Sequence, residues 1–256
     1  MNYLVSIVLP SIRDYKLDKV YWSLKQSCTQ ENFELIIVGP TPPKDSLLTN
    51  LNIKYIKDFG SPVRASQIGA LLASGKYITF GADDATYIDG AFDKVLNHLE
   101  SYKYKDYTHN IVVTNYTEGG NLLSNDVLRL NIAYPKVLLI PDNWYIFNSA
   151  FLHTSFFKQM GGYDCIFETC PIAHADLAAR CQRAGAKVDL LNIPISHCEH
   201  MPGTSGDHAP IHWGQLLHDE PLYKEIYNKE ENIHRTVIDF DNWKGSPEKW
   251  ARRFGH

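Results

Sequence analysis

Two adjacent carboxylates, Asp83 and Asp84, stand near the end of residues 74–86, which read S-G-K-Y-I-T-F-G-A-D-D-A-T. The run Tyr77-Ile78-Thr79-Phe80 before them, apolar and β-branched or aromatic, predicts a buried strand that ends at Gly81-Ala82. In open α/β sheets the ligand crevice lies beyond the carboxyl ends of the strands. Two acids placed there can hold a hard divalent cation, and that cation can hold a diphosphate. The same pair also suits a plain polar turn, so the surrounding chain has to decide between the two readings.

Other residue types point to the same region. Pro10, Ser11 and Arg13 follow a first apolar run at residues 4–9, the carboxyl end of a strand where nucleotide contacts are expected. Arg64 carries a guanidinium able to grip a diphosphate in bidentate fashion, or it lies on a solvated helix face. The tail interleaves Trp243, Lys244, Lys249, Trp250, Arg252 and Arg253. That mixture suits contact with a phosphate-bearing acceptor or a nucleic acid, and equally an ordinary packed terminus.

The elements that must position these groups follow from periodicity. Strands are predicted at 4–9, 33–38, 53–56 and 77–80, then at 111–114, 137–140 and 188–193. Helices are predicted over 13–26, from Ser61 or Pro62 to 72, over 90–102, and over 173–184, ending at Gly185. Residues 116–134 read as a polar loop or lid. A packing helix carries Trp213, Leu216, Leu217, Tyr223 and Tyr227. Strands apolar on both faces, alternating with helices, imply an α/β fold with a mainly parallel, Rossmann-like sheet flanked by helices. No composition shift marks a linker. The expectation is a single domain over 1–215, with a helical, aromatic-basic extension over 216–256 packed on it.

Composition bounds the rest. With 256 residues, 44% hydrophobic and 21% charged, the chain can bury a sizeable core. A formal net charge of −4 gives no global basic field for nucleic acid. The 15 tyrosines, 5 tryptophans and 11 histidines are compatible with stacking on a base or sugar ring as well as with core packing. Five cysteines, an odd number without C-x-x-C spacing, predict free thiols in a reducing compartment. No run approaches the ~18 apolar residues of a membrane span, and residues 4–9 are too short for a signal segment, so a soluble, cytoplasmic protein is expected.

In this order, the pieces resemble a glycosyltransferase of the GT-A fold, close to family 2. Val5-Ser6-Ile7-Val8-Leu9-Pro10-Ser11 is similar to that family's first strand and turn, and residues 64–80 to its helix-then-strand approach to the DxD motif. Gly161-Gly162-Tyr163-Asp164 matches its Gly-Gly-Phe-Asp, and Asp176-Leu177-Ala178-Ala179-Arg180 with Ala184-Gly185 matches its acceptor-side helix. The resemblance spans roughly residues 4 to 200. It implies Mn²⁺ or Mg²⁺ held by Asp84 with help from Asp83, and a nucleotide-diphosphate sugar as donor. His197 after the late strand is implied as a second metal ligand, and imidazole suits Mn²⁺ better than Mg²⁺. His200, His208 and His212 are weaker candidates. The acceptor is left open among glycan, lipid, protein and modified base.

The departures are specific. The second strand ends Val38-Gly39-Pro40, where the family has an acid, and the first DxD acid is Ala82. Where the family carries its catalytic acid, this chain has Ala173-His174. His174 then becomes the expected base, since imidazole titrates near neutrality, with Asp176 beside it as a catalytic or orienting group and Glu168 as an alternative. Two rival readings stay open: a degenerate domain that only binds sugar or nucleotide, and a sugar nucleotidyltransferase. The second lacks a Gly-rich, Lys/Arg-bearing loop after the first strand.

Overall fold

The apolar runs of the first eighty residues form the parallel half of one sheet. The computed structural model describes residues 3–30, 32–102, 107–122, 144–199, 203–229 and 235–255. Strands β1 (Val5–Pro10), β2 (Phe33–Gly39), β3 (Ile53–Lys57) and β4 (Tyr77–Phe80) pair in the order β3-β2-β1-β4, all parallel. Helices α1 (Leu17–Ser27), α2 (Asp45–Leu48) and α3 (Pro62–Leu71) connect them. β2 is buried along its whole length, which is why its sequence reads as an unbroken apolar run. Ser61 accepts from the Arg64 amide and Pro62 opens the helix, so α3 starts where its capping residues predict.

The second half of the chain adds β5 (Ala85–Tyr87), α4 (Ala91–Glu100), β6 (Asn110–Glu118), β7 (Asn121–Leu122), β8 (Ala150–His153), α5 (Thr154–Gln159), α6 (Cys170–Arg183) and β9 (Lys187–Cys198). The sheet continues β4-β8-β6-β9-β5, with β8 antiparallel to both neighbours and β6 parallel to β9. After β9 come α7 (Ala209–Gly214), one π turn (Gln215–Asp219), α8 (Glu220–Tyr227) and the short α9 (Ala251–Phe254). The result is a single mixed α/β domain with a mainly parallel sheet flanked by helices.

Several boundaries move. The expected strand at 111–114 runs on to Glu118, so Tyr116 lies in β6 and not in a loop. β9 extends to Cys198 and takes His197 into the sheet. β5, three residues directly after the acid pair, was too short to register as a periodic run. The expected strand at 137–140, residues 123–134 of the polar loop, and His200 lie outside the described residues.

Buried ionic groups tie the layers together. Glu34 on β2 accepts from Ser6 Oγ at 2.6 Å, from the Ser74 amide at 2.7 Å and from Ser74 Oγ at 2.8 Å, and pairs with Lys54. It thereby fixes the turn that feeds β4. Asp176 on α6 is fully buried; its carboxylate accepts from Arg180 Nε at 2.7 Å and from the Tyr227 hydroxyl at 2.6 Å, and Arg235 lies 3.6 Å away. Burial alone would raise this carboxyl, but Arg180 and Arg235 outweigh it and hold it below the usual range. Arg180 also donates to Met160 O at 2.8 Å and Gly162 O at 2.5 Å. Gly161 and Gly162 are both at positive φ, and they let other segments approach closely: a Cβ on Gly161 would lie 2.1 Å from Ile238 O, and one on Gly162 2.2 Å from Gln67 Oε1.

The sequence expectation of a catalytic Asp176 is therefore corrected, because its carboxylate is consumed inside an ion-pair network. Asp176→Asn leaves Arg180 buried without its partner and should cost about 3–5 kcal/mol of stability. Urea unfolding checks this; a midpoint within error of wild type would refute the structural role.

Candidate active site

A cavity of about 300 Å³ opens at the carboxyl ends of β1, β2 and β4, the position favoured by open α/β sheets. Its walls bring together Pro10, Ser11, Arg13, Asp83, Asp84 and His174, six residues singled out by the sequence. They do not have equal freedom.

Asp83 is spent on the chain itself. One carboxylate oxygen accepts from the Ile12 amide at 2.8 Å, the Arg13 amide at 2.9 Å and Ser11 Oγ at 3.2 Å, and the other pairs with the Arg13 guanidinium. Arg13 is in turn committed: its Nε donates to Asp207 Oδ2 at 2.7 Å, and its third nitrogen lies 2.9 Å from His208 Nε2. Burial works against the Arg13 charge, but Asp207 and Asp83 outweigh it and raise its pKa.

Asp84 differs from its neighbour. It is 5% exposed, and its Oδ2 has no hydrogen-bond partner among the described residues. His208 Nε2 approaches to 4.0 Å. Around it, burial and then the Asp84 charge raise the Glu118 carboxyl, and burial followed by Asp84 and Glu118 pushes the Cys198 thiol up to about 12. Burial likewise raises the Tyr87 hydroxyl. Gly81 makes room for it, since a Cβ there would lie 2.3 Å from that oxygen. An orphaned carboxylate oxygen, surrounded by groups pushed toward their protonated forms, marks this end of the cavity as short of positive charge. Hard oxygen donors of this kind suit Mg²⁺ or Mn²⁺.

His174 on α6 meets the cavity from the other side. Its Nδ1 lies 3.3 Å from Asn148 Oδ1, and its Nε2 is buried without a partner among the described residues. Burial pushes its pKa down to about 4, so the ring is neutral near pH 7.

Three expected site residues lie elsewhere. His197 is exposed and hydrogen-bonds Thr117 Oγ1 at 2.6 Å. Its strand neighbours Ser196 and Cys198 line the cavity, as do Tyr116 and Glu118 on β6, so His197 and Thr117 share the opposite face. The cause is a pair of register shifts: β9 advances from Leu191 to His197 while β6 advances only from Thr114 to Thr117. Arg64 is also turned away. It pairs with Asp58 at 3.1 Å and donates to the carbonyls of Trp243 at 2.6 Å and Ser246 at 3.1 Å. Asp176 is held in the network described above. Glu168, the alternative acid, pairs with Arg252, and its amide donates to Asp219 Oδ1 at 2.9 Å.

Sequence reasoning passed over Tyr87, Glu118, Asn148 and Asp207, which all line the cavity. Glu118 was hidden because its strand was read as ending four residues early. Trp250, Arg253 and Phe254 of the tail are also in the wall. The missing acid after β2 has a steric reason: a Cβ on Gly39 would lie 1.8 Å from Ser11 O.

Neither a protein-family model nor a curated protein matches the sequence. Among solved structures, S. aureus TarS residues 1–349 superposes with TM-score 0.56 at 17% identity, covering 91% of this chain and 72% of that one. The same fragment in complex with UDP gives 0.53 at 16% identity, covering 89% and 70%. A further TarS structure gives 0.56 at 14%, covering 88% of this chain and 42% of that one, so the chain spans less than half of its length. At such identity the likeness bears on the fold, which is of the GT-A type. Among the described residues no helix is long and apolar enough to cross a membrane. The five cysteines are free.

The buried imidazole gives a signed pH dependence. Its folded pKa of about 4 lies below the unfolded value of about 6.5, so the unfolded chain takes up the proton first. This contribution to stability falls as pH drops from about 6.5 to about 4, then levels off. His174→Gln should flatten that stretch of the stability–pH curve in urea titrations. Parallel curves for the two proteins would mean that the ring protonates freely in the folded state.

Proposed function

We propose that this chain is a glycosyltransferase that takes its sugar from a nucleotide diphosphate, with inversion at the anomeric carbon. One observation carries the reading: within a GT-A fold, the Asp84 carboxylate is buried with an unpartnered oxygen at the sheet end where the donor crevice lies. The UDP complex of TarS supports a uridine nucleotide as the first donor to try.

Mn²⁺ or Mg²⁺ would be held by Asp84, with His208 and Glu118 beside it, and would supply neutralisation of the departing diphosphate. His208 replaces His197 in this reading, since His197 is on the wrong face. In the transfer, the acceptor oxygen bonds to the anomeric carbon as the bond to the diphosphate oxygen breaks with its electron pair. His174, which lines the cavity and is neutral near pH 7, would receive the acceptor proton in this reading. A base with so low a pKa is weak, so leaving-group stabilisation has to supply most of the barrier reduction. The acceptor is a hydroxyl compound of a class still open among glycan, lipid, protein and modified base.

A binding protein without turnover is the second reading. It is favoured by Asp83 being locked to the β1 loop, which leaves one acid where the family motif has two. Release of free sugar from a UDP-sugar in the presence of Mn²⁺ separates the two.

Thermal shifts with UDP, GDP, CDP, TDP and ADP, each with and without Mn²⁺, test the donor site. A nucleotide at about 100 times its Kd adds about 2.7 kcal/mol to stability. One of the five should stabilise the wild type with Mn²⁺, and Asp84→Asn should abolish the Mn²⁺-dependent part. No shift with any of them would remove the donor site, and with it the transferase reading.

A further inference from the structure

The cavity has a wall that the family resemblance does not cover, because it comes from the last residues of the chain. Lys249 forms a parallel bridge with Phe59 just beyond β3, and the Trp250 amide donates to Phe59 O at 2.8 Å. The Phe254 ring packs edge-on against Phe59 at 5.5 Å. These contacts seat α9 on the cavity, with Trp250, Arg253 and Phe254 lining it.

Arg253 there is unlike the other cavity arginine. Arg13 contacts the carboxylates of Asp83 and Asp207, whereas Arg253 forms no ion pair among the described residues. One of its nitrogens donates to the Asp207 backbone carbonyl at 2.6 Å, and the guanidinium lies 5.8 Å from the Trp250 ring centroid. The rest of its fork has no partner among the described residues. Burial, and then the Arg13 charge, lower the Arg253 pKa, with Asp207 and Asp83 opposing them. Trp250 supplies a second, independent sign. It is 3% exposed, and its indole Nε1–H, a donor only, is buried without an acceptor. A buried unpaired donor beside a guanidinium that no carboxylate contacts directly describes a place for an oxyanion.

The position fits one part of one ligand. Asp84 and Glu118 lie on the β4–β6 side of the cavity, and Trp250 and α9 lie at the β3 edge of the sheet. Arg253 nevertheless reaches the Asp207 carbonyl, and the next residue, His208, lies 4.0 Å from Asp84, so the guanidinium and the acid approach one ligand from two walls.

We propose that Arg253, with the Trp250 indole N–H, forms an oxyanion-binding wall that takes the diphosphate of the donor nucleotide. This rests on reading the cavity as a nucleotide-diphosphate site. It makes the C-terminal helix part of the binding site and not only a packed terminus.

Calorimetric titration without metal tests it, using UDP, uridine and inorganic pyrophosphate on wild type, Arg253→Gln and Arg253→Lys. Arg253→Gln should weaken UDP and pyrophosphate about tenfold or more and leave uridine unchanged, with Arg253→Lys in between. Equal weakening of uridine would show that Arg253 only shapes the cavity and would overturn the proposal, as would unchanged affinity for UDP and pyrophosphate. If pyrophosphate binds through Arg253 but no nucleotide does, the anion wall stands and the donor reading fails. If neither UDP nor pyrophosphate binds the wild type without metal, the anion wall fails, and the donor reading is then decided by the thermal shifts with Mn²⁺. Unfolding midpoints of the variants separate loss of contact from loss of fold, as they do for Trp250→Phe, a second variant that removes the indole N–H together with part of the ring.

Discussion

The Asp83 carboxylate is the constraint on which the cavity depends. β1 and β4 are parallel neighbours, so their carboxyl ends lie side by side and the two loops that leave them must be held apart from the crevice they frame. Asp83 does this by collecting the Ile12 and Arg13 amides and the Ser11 hydroxyl onto one oxygen and the Arg13 guanidinium onto the other. A carboxylate with that many donors compensates the cost of its own burial. Arg13, once aimed, reaches Asp207 and His208 from the segment after β9, and the Asp207 carbonyl receives Arg253 from the tail. Four stretches of chain far apart in sequence are thus linked in series, from Asp83 through Arg13 and Asp207 to Arg253.

This divides the work of the two adjacent acids. Consecutive residues leaving a strand point in different directions. Here one direction leads into the β1 loop and the other leaves an oxygen at the cavity. A sequence motif of paired acids therefore does not mean paired ligands. The same logic explains Gly39, where the close approach of Ser11 O leaves no space for any side chain, acidic or otherwise.

What was legible in the sequence was whatever burial writes directly into residue type. β1, β2 and β4 read as apolar runs because helices cover them, and α3 carries its own start signal in Ser61 and Pro62. Gly161-Gly162-Tyr163-Asp164 is similarly direct, since positive φ and close backbone approach leave glycine as the unstrained residue. The site was legible only where it sits at the end of such an element, as for Pro10, Ser11, Arg13, Asp83 and Asp84. His197 was misplaced because the register shifts between β6 and β9 reverse its face, and a shift of one residue in a strand leaves no local trace. Arg64 was misassigned because a guanidinium is equally suited to phosphate and to backbone carbonyls, and only the tertiary fold shows which one it meets.

The Arg64 error also explains how the tail comes to stand in the wall. Arg64 grips the Trp243 and Ser246 carbonyls, Gln67 donates to the Phe240 carbonyl at 2.8 Å, and Trp243 lies against the Arg64 guanidinium at 5.3 Å. Both donors are buried side chains of α3, so each would be left unsatisfied if the tail lifted away, at a cost of about 1–3 kcal/mol per group and more for the charge. The segment that carries Trp250 and Arg253 is therefore anchored by the same helix that backs the parallel sheet. A residue first read as a phosphate ligand positions, through backbone carbonyls, the residues that do face the cavity. Arg64 acts on the site at one remove, and a change there would alter the cavity through the tail without touching a ligand.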